Sequence, residues 1–156
     1  MSGTRAVEAW TVEPLERFVK EAGARLTLLM TPSGQVLAQY GFTRAVDVMA
    51  AAALGAAIVS STAELARMLE EPRFSALNHQ GMRHGIFIAG FDSPRGALLA
   101  LVVYGTTSSF GLVQLFFEDF QRDLRAACPV PEEQRPLLAE NFERELNESL
   151  ASLFRA

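Results

Sequence analysis

The sequence predicts an α+β fold in which helices cover both faces of a five-stranded antiparallel sheet. Three observations carry that expectation. Apolar runs of strand length occur in pairs joined by short turns. Longer segments carry apolar residues at helical spacing. An apolar content of 49% against 21% charged residues is the balance of a chain with a core to bury. The predicted order is α-β-β-α-β-β-β-α plus a C-terminal helix. Mostly hairpin connections with helices between them favour helices on an antiparallel sheet.

Taken in order, Thr11 can cap a first helix whose Leu15, Phe18, Val19 and Ala22 fall on one stripe, and Gly23 ends it. Residues 26–30 read as a buried strand, Pro32-Ser33-Gly34 as a turn, and 35–40 as the antiparallel mate. A long helix is expected from about Arg44 to Glu70, capped by Thr43 and broken by Pro72. Residues 74–79 form a weak strand with an open edge. Residues 85–91 and 97–104 form stronger ones, joined through Asp92-Ser93-Pro94-Arg95-Gly96. Ser108 and Ser109 suit caps of a third helix carrying Val113, Phe117, Phe120 and Leu124 on one stripe. The prolines of Cys128-Pro129-Val130-Pro131 prevent continuation. From about Pro136 a last amphipathic helix is expected. Two helices belong on one face of the sheet and the long second helix on the other. The chain of 156 residues thus divides into a domain at 1–128 and a linker with C-terminal helix at 129–156.

Composition excludes several functions. The net charge is −4 and Lys20 is the single lysine, so the basic surface that nucleic acid needs is missing. Cys128 stands alone, which rules out an intramolecular disulfide and a thiolate metal site. With no export signal in residues 1–10, a cytoplasmic protein is expected. The alanine-rich stretch 48–63 is bracketed by Asp47 and Glu64. It is shorter than a ~20-residue span, so no membrane insertion is expected. No cofactor is predicted either: the glycines make neither Gly-x-x-x-x-Gly-Lys-Ser/Thr nor Gly-x-Gly-x-x-Gly. His79 and His84 lack a third ligand, and no Gly-x-Ser-x-Gly elbow exists, so no metal site or catalytic centre is predicted.

The element order resembles that of the roadblock (dynein light-chain) family, and four segments carry the likeness. Residues 26–41, LTLLMTPSGQVLAQYG, resemble the family's opening hairpin. Residues 65–90, LARMLEEPRFSALNHQGMRHGIFIAG, resemble the exit of the second helix and the following strands of its MglB branch. Residues 108–124, SSFGLVQLFFEDFQRDL, resemble the third helix, and 148–156, ESLASLFRA, the acidic-apolar C-terminal helix. The chain departs from that branch at Ala56-Ala57-Ile58, where a small-Gly-Asn step is usual. The resemblance implies a homodimer that binds a Ras-like small GTPase of MglA type in bacterial polarity or motility, with recruitment to a cell pole. It implies acceleration of GTP hydrolysis by rearranging the GTPase's own catalytic residues, with no catalytic site in this chain.

The residues themselves suggest where partners would bind. The second helix is small on most of its sides, and small residues let another backbone approach closely. Its packing on its own sheet needs only one stripe. The candidate contact residues, for the GTPase or the dimer mate, are Ala53, Ala56, Ala57, Ser60, Ala63, Glu64 and Arg67. On the C-terminal helix, Phe142, Leu146, Leu150, Leu153 and Phe154 are candidates for partner contacts. Two alternatives stand beside this reading: a roadblock scaffold dimer without an activating role, and a small-ligand sensor of profilin- or PAS-like shape. A sensor would need a pocket with convergent polar groups.

Overall fold

The computed structural model describes residues 3–129 and 134–154, with side chains of the last helix from Glu143 onward. Strand β1 (Thr4–Ala6) leads through a 3-10 turn at Ala9–Thr11 into helix α1 (Val12–Ala22). Strands β2 (Ala24–Met30) and β3 (Val36–Tyr40) follow, then helix α2 (Ala45–Met68). Strands β4 (Ala76–Gln80), β5 (His84–Ser93) and β6 (Gly96–Gly105) precede helices α3 (Phe110–Ala127) and α4 (Gln134–Phe154).

The sheet is antiparallel throughout, in the order β1-β3-β2-β6-β5-β4. It therefore has six strands where the sequence predicts five. Thr4-Arg5-Ala6 shows no strand signature of its own. It pairs because the outer edge of β3 offers free backbone groups, and the Val7 N–H continues the contact to the Leu37 carbonyl at 2.8 Å. The weak strand begins two residues later than expected and ends one residue later. β4 lies at the opposite edge, with β5 on one side and, among the described residues, no strand on the other.

Period-two alternation sends side chains to two separate cores. Towards α1 and α3 point Leu29, Phe87, Ala89, Phe91, Ala100, Val102 and Tyr104; towards α2 point Leu28, Met30, Ile88, Leu99 and Leu101. Both faces are covered, so these strands are apolar almost without interruption. The first core is aromatic. Phe18 of α1 stacks on Phe120 of α3 at 4.8 Å between centroids, and the Phe117 ring meets Phe87 edge-on at 5.1 Å. Phe116, beside them, is half-buried against the same core.

The caps differ in detail from the sequence expectation. Thr11 donates its hydroxyl to the Glu8 carbonyl at 2.6 Å and closes the 3-10 turn instead of capping α1. At α2 the N-cap is Arg44, and neither it nor Thr43 supplies a side-chain cap. Ser109 does cap α3, accepting from the Leu112 N–H at 3.2 Å. Ser108 instead donates to the Ala22 carbonyl and ties the end of α1 to the start of α3.

Candidate partner-binding surface

Among the described residues, α2 alone crosses its face of the sheet. Ala52, Gly55 and Ala66 are buried beneath it. A Cβ on Gly55 would lie 2.7 Å from Met30 Cε and 3.1 Å from Leu101 Cδ1, so glycine sets how closely the helix approaches. The small step at Ala56-Ala57-Ile58 follows directly after this contact. The opposite side of the helix is open. Leu54 is 65% exposed, Ile58 37%, Leu65 54% and Met68 78%. At i, i+4, i+11 and i+14 these four share one outward stripe.

Of the residues singled out on α2, Ala53, Ala57, Ser60, Ala63, Glu64 and Arg67 lie outside the buried stripe, and Ala56 is half-buried. At 100° per residue they lie together on one flank, next to the larger stripe. Glu64 and Arg67 form an ion pair with each other, i to i+3. The four large side chains were not singled out as candidate contacts because their apolarity reads as core in a sequence. Only the single-sided packing of α2 reveals them as surface. At 24 residues, α2 is also longer than the apolar stretch expected, and long and apolar enough to cross a membrane.

Two clefts flank the helix, since one helix of small residues cannot cover six strands. A cleft of about 190 Å³ lies between the C-terminal half of α2 and the β4 edge, lined by Val59, Ala63, Phe74, Leu77, Ile88 and Leu99 among others. Its two charged residues, Arg73 and Asp92, pair at 3.6 Å. They face each other, and Thr62 donates its hydroxyl to the Ile58 carbonyl at 2.8 Å, so the rest of the lining is mostly apolar. A second cleft of about 330 Å³ separates the N-terminal half of α2 from β1 and β3.

On α4, Leu146, Leu150, Leu153 and Phe154 are exposed. The Phe142 side chain lies outside the described residues. The histidines sit in the sheet: His84 Nε2 is 3.1 Å from Arg25 Nη1, and His79 is on β4. Among the described residues no group of His, Cys, Asp and Glu could hold a metal. Gly85 leaves room for the Tyr104 ring, which a Cβ there would overlap. The buried Tyr104 hydroxyl reaches Asn78 Oδ1 at 2.7 Å and Gln80 Oε1 at 3.0 Å, tying β6 across β5 to the edge strand β4. Burial raises the Cys128 thiol pKa, against the lowering effect of Arg95. A protonated, buried thiol is a poor nucleophile.

Two helices on one face of an antiparallel sheet and one exposed small-residue helix on the other define a roadblock-type α+β domain. The chain belongs to the Roadblock/LC7 family, whose domain pattern matches residues 11–102. It is similar to the gliding protein MglB from Thermus thermophilus, at 30% identity over 76% of this chain and 87% of that one, with a TM-score of 0.66. An MglB structure described as a tetrameric arrangement is equally similar: 30% identity, 75% and 86% coverage, and a TM-score of 0.65. Myxococcus xanthus MglB shares the fold at 24% identity, covering 70% of this chain and 87% of that one, with a TM-score of 0.63. No curated protein matches the sequence.

Proposed function

We propose that this chain is a homodimeric regulator of a Ras-like small GTPase of MglA type in a bacterial polarity or motility system. It acts in the cytoplasm, carries no catalytic site of its own, and accelerates hydrolysis by remodelling the GTPase's active site. One observation carries the reading. The outward stripe Leu54, Ile58, Leu65 and Met68 is an apolar surface on a helix, beside the small flank from Ala53 to Arg67. Such a surface marks a protein interface. The likeness to MglB proteins, one of them in a tetrameric arrangement, supports both self-association and the class of partner.

The dimer pairs β4 with its two-fold mate, which satisfies the free edge and brings the two α2 helices side by side. The GTPase sits across the helix pair. The C-terminal segment from residue 129 is a separable element whose Leu146, Leu150, Leu153 and Phe154 add partner contacts. Mixing the purified protein with the host's Ras-like GTPase and following phosphate release tests the activity. The rate should rise and then saturate with added protein. Binding without acceleration would leave a scaffold dimer. Ser60→Arg, on the same flank, should leave folding intact while abolishing the dimer or its GTPase binding. A wild-type monomer by light scattering at micromolar concentration would refute the dimer.

A further inference from the structure

The backbone groups on the free edge of β4 follow a fixed alternation. The Gly81 N–H donates to the His84 carbonyl at 2.8 Å, one step beyond the pair Gln80↔Gly85. Hydrogen-bonded and non-hydrogen-bonded pairs alternate along an antiparallel ladder. Leu77 and His79 therefore bond inwards to β5, while Ala76, Asn78 and Gln80 turn their N–H and C=O groups outwards. Among the described residues no strand meets these groups. The edge also lacks the usual protection, since Ala76-Leu77-Asn78-His79-Gln80 contains neither lysine nor proline and keeps an unbroken register with β5.

The outward groups are symmetric about Asn78. In an isologous pair, residue i of one copy meets j of the other and j meets i. Only the register with Asn78 on the two-fold axis uses every outward group: Asn78 meets its own twin, and Ala76 meets Gln80 in both directions. An axis at Leu77 strands Gln80, and an axis at His79 strands Ala76. Phe74 and Met82 lie four residues to either side of Asn78. Phe74 is exposed and Met82 fully so, and the same axis brings each copy's Met82 over the other's Phe74.

The Asn78 side chain is already oriented. The hydroxyl of buried Tyr104 donates to its Oδ1 at 2.7 Å. Glycine at 85 makes the room, because a Cβ there would lie 2.1 Å from Tyr104 Cζ. That bond fixes which way the amide faces and leaves its Nδ2 hydrogens without a partner among the described residues. Residues directly opposite in an antiparallel pair carry their side chains on the same face. At the axis, each Nδ2 can donate to the other copy's Oδ1, which has a second lone pair to accept it.

We infer that Asn78 is the residue by which this chain recognises a second copy of itself, lying on the two-fold axis and setting the register of β4 on β4. The inference rests on the proposed dimer and adds to it the register and the side chain that selects it. A lone asparagine at a symmetric contact specifies register because every slipped alternative separates its amide from its twin.

One added cysteine per chain reads the register. Leu77→Cys, Asn78→Cys and His79→Cys are made in the full chain, each retaining the buried Cys128. At the axis the two Cα atoms lie about 5.5 Å apart, within disulfide reach. Leu77 and His79 each lie roughly 8 Å from their own twins, beyond it. Mild oxidation should cross-link Asn78→Cys into a covalent dimer with a yield several-fold above either neighbour. Because that variant loses the bond from Tyr104, Met82→p-benzoylphenylalanine in the otherwise unaltered chain gives a second measurement. Its photo-adduct should run as a dimer and map to residues 73–75. Light scattering on the same samples separates this inference from the reading beneath it. A dimer that cross-links best through Leu77→Cys or His79→Cys, or whose adducts map elsewhere, overturns the register and leaves the homodimer in place. A monomer at micromolar concentration overturns both.

Discussion

On the face covered by α1 and α3, phenylalanines from two helices and from β5 interlock: Phe18, Phe117 and Phe120 meet Phe87 and Phe91. On the other face a single helix meets the sheet through Ala52, Gly55 and Ala66, with Val48 and Val59 half-buried beside them and most large side chains turned to the outside. The same six strands floor both layers. What separates them is side-chain size at the helix–sheet contact. Large residues pointing inward secure the fold; small ones bring α2 close while its large residues remain available to a partner. A surface proposed for a partner cannot also be the stabilising core, so on that proposal each face takes one task.

That contrast can be broken by mutation. Phe120→Ala empties a site where the ring is almost fully buried and should cost about 3–5 kcal/mol in denaturant unfolding. Leu54→Ala on α2 should change stability by only about 0.5 kcal/mol. Comparable costs for the two would erase the distinction between the faces. Gly55→Leu overpacks the close approach of α2 and should cost about 1–3 kcal/mol, read as a lower unfolding midpoint. If that variant is as stable as the parent, α2 sits less tightly on the sheet than the 2.7 Å approach to Met30 implies.

Truncation after Val130 sharpens the comparison from the functional side. The remaining domain should stay a folded dimer, because both described cores lie within it. Burial of a Leu or Phe contributes ~1.5–3 kcal/mol before ordering costs, so GTPase affinity should fall about tenfold or more in a titration. Unfolding or aggregation of the truncated chain would assign α4 to the core instead. The smallest effect is expected from the arginines. Arg25 contacts His84, Arg73 pairs with Asp92, and Arg95 pairs with Glu8 at 3.0 Å. Arg25, Arg73, Arg83 and Arg95 changed singly to Ala should each keep most of the maximal hydrolysis rate at saturating protein. Loss of a trans-acting arginine finger costs ~10³–10⁵, so a thousandfold drop with binding intact would identify one and sink the remodelling mechanism.

Local pattern was enough for most of the architecture. The stripe of Leu15, Phe18, Val19 and Ala22, the turn at Gly34 and the apolar runs of β5 and β6 are short-range signals. They determined the helices, the hairpins and the two-sided sheet, and with them the family. β1 was invisible because three unremarkable residues pair only where β3 offers an edge, and that edge exists only once the sheet is assembled. Capping failed at Thr11 and Thr43 for a related reason: a hydroxyl takes whichever backbone group the fold brings nearest, as Thr11 does with Glu8. The outward stripe of α2 was the largest matter left to tertiary structure. Leucine, isoleucine and methionine look alike in sequence whether they face a core or a partner. Their role is decided by which side of the helix Gly55 presses against the sheet, and a helix of low amphipathicity does not encode that choice in its own periodicity.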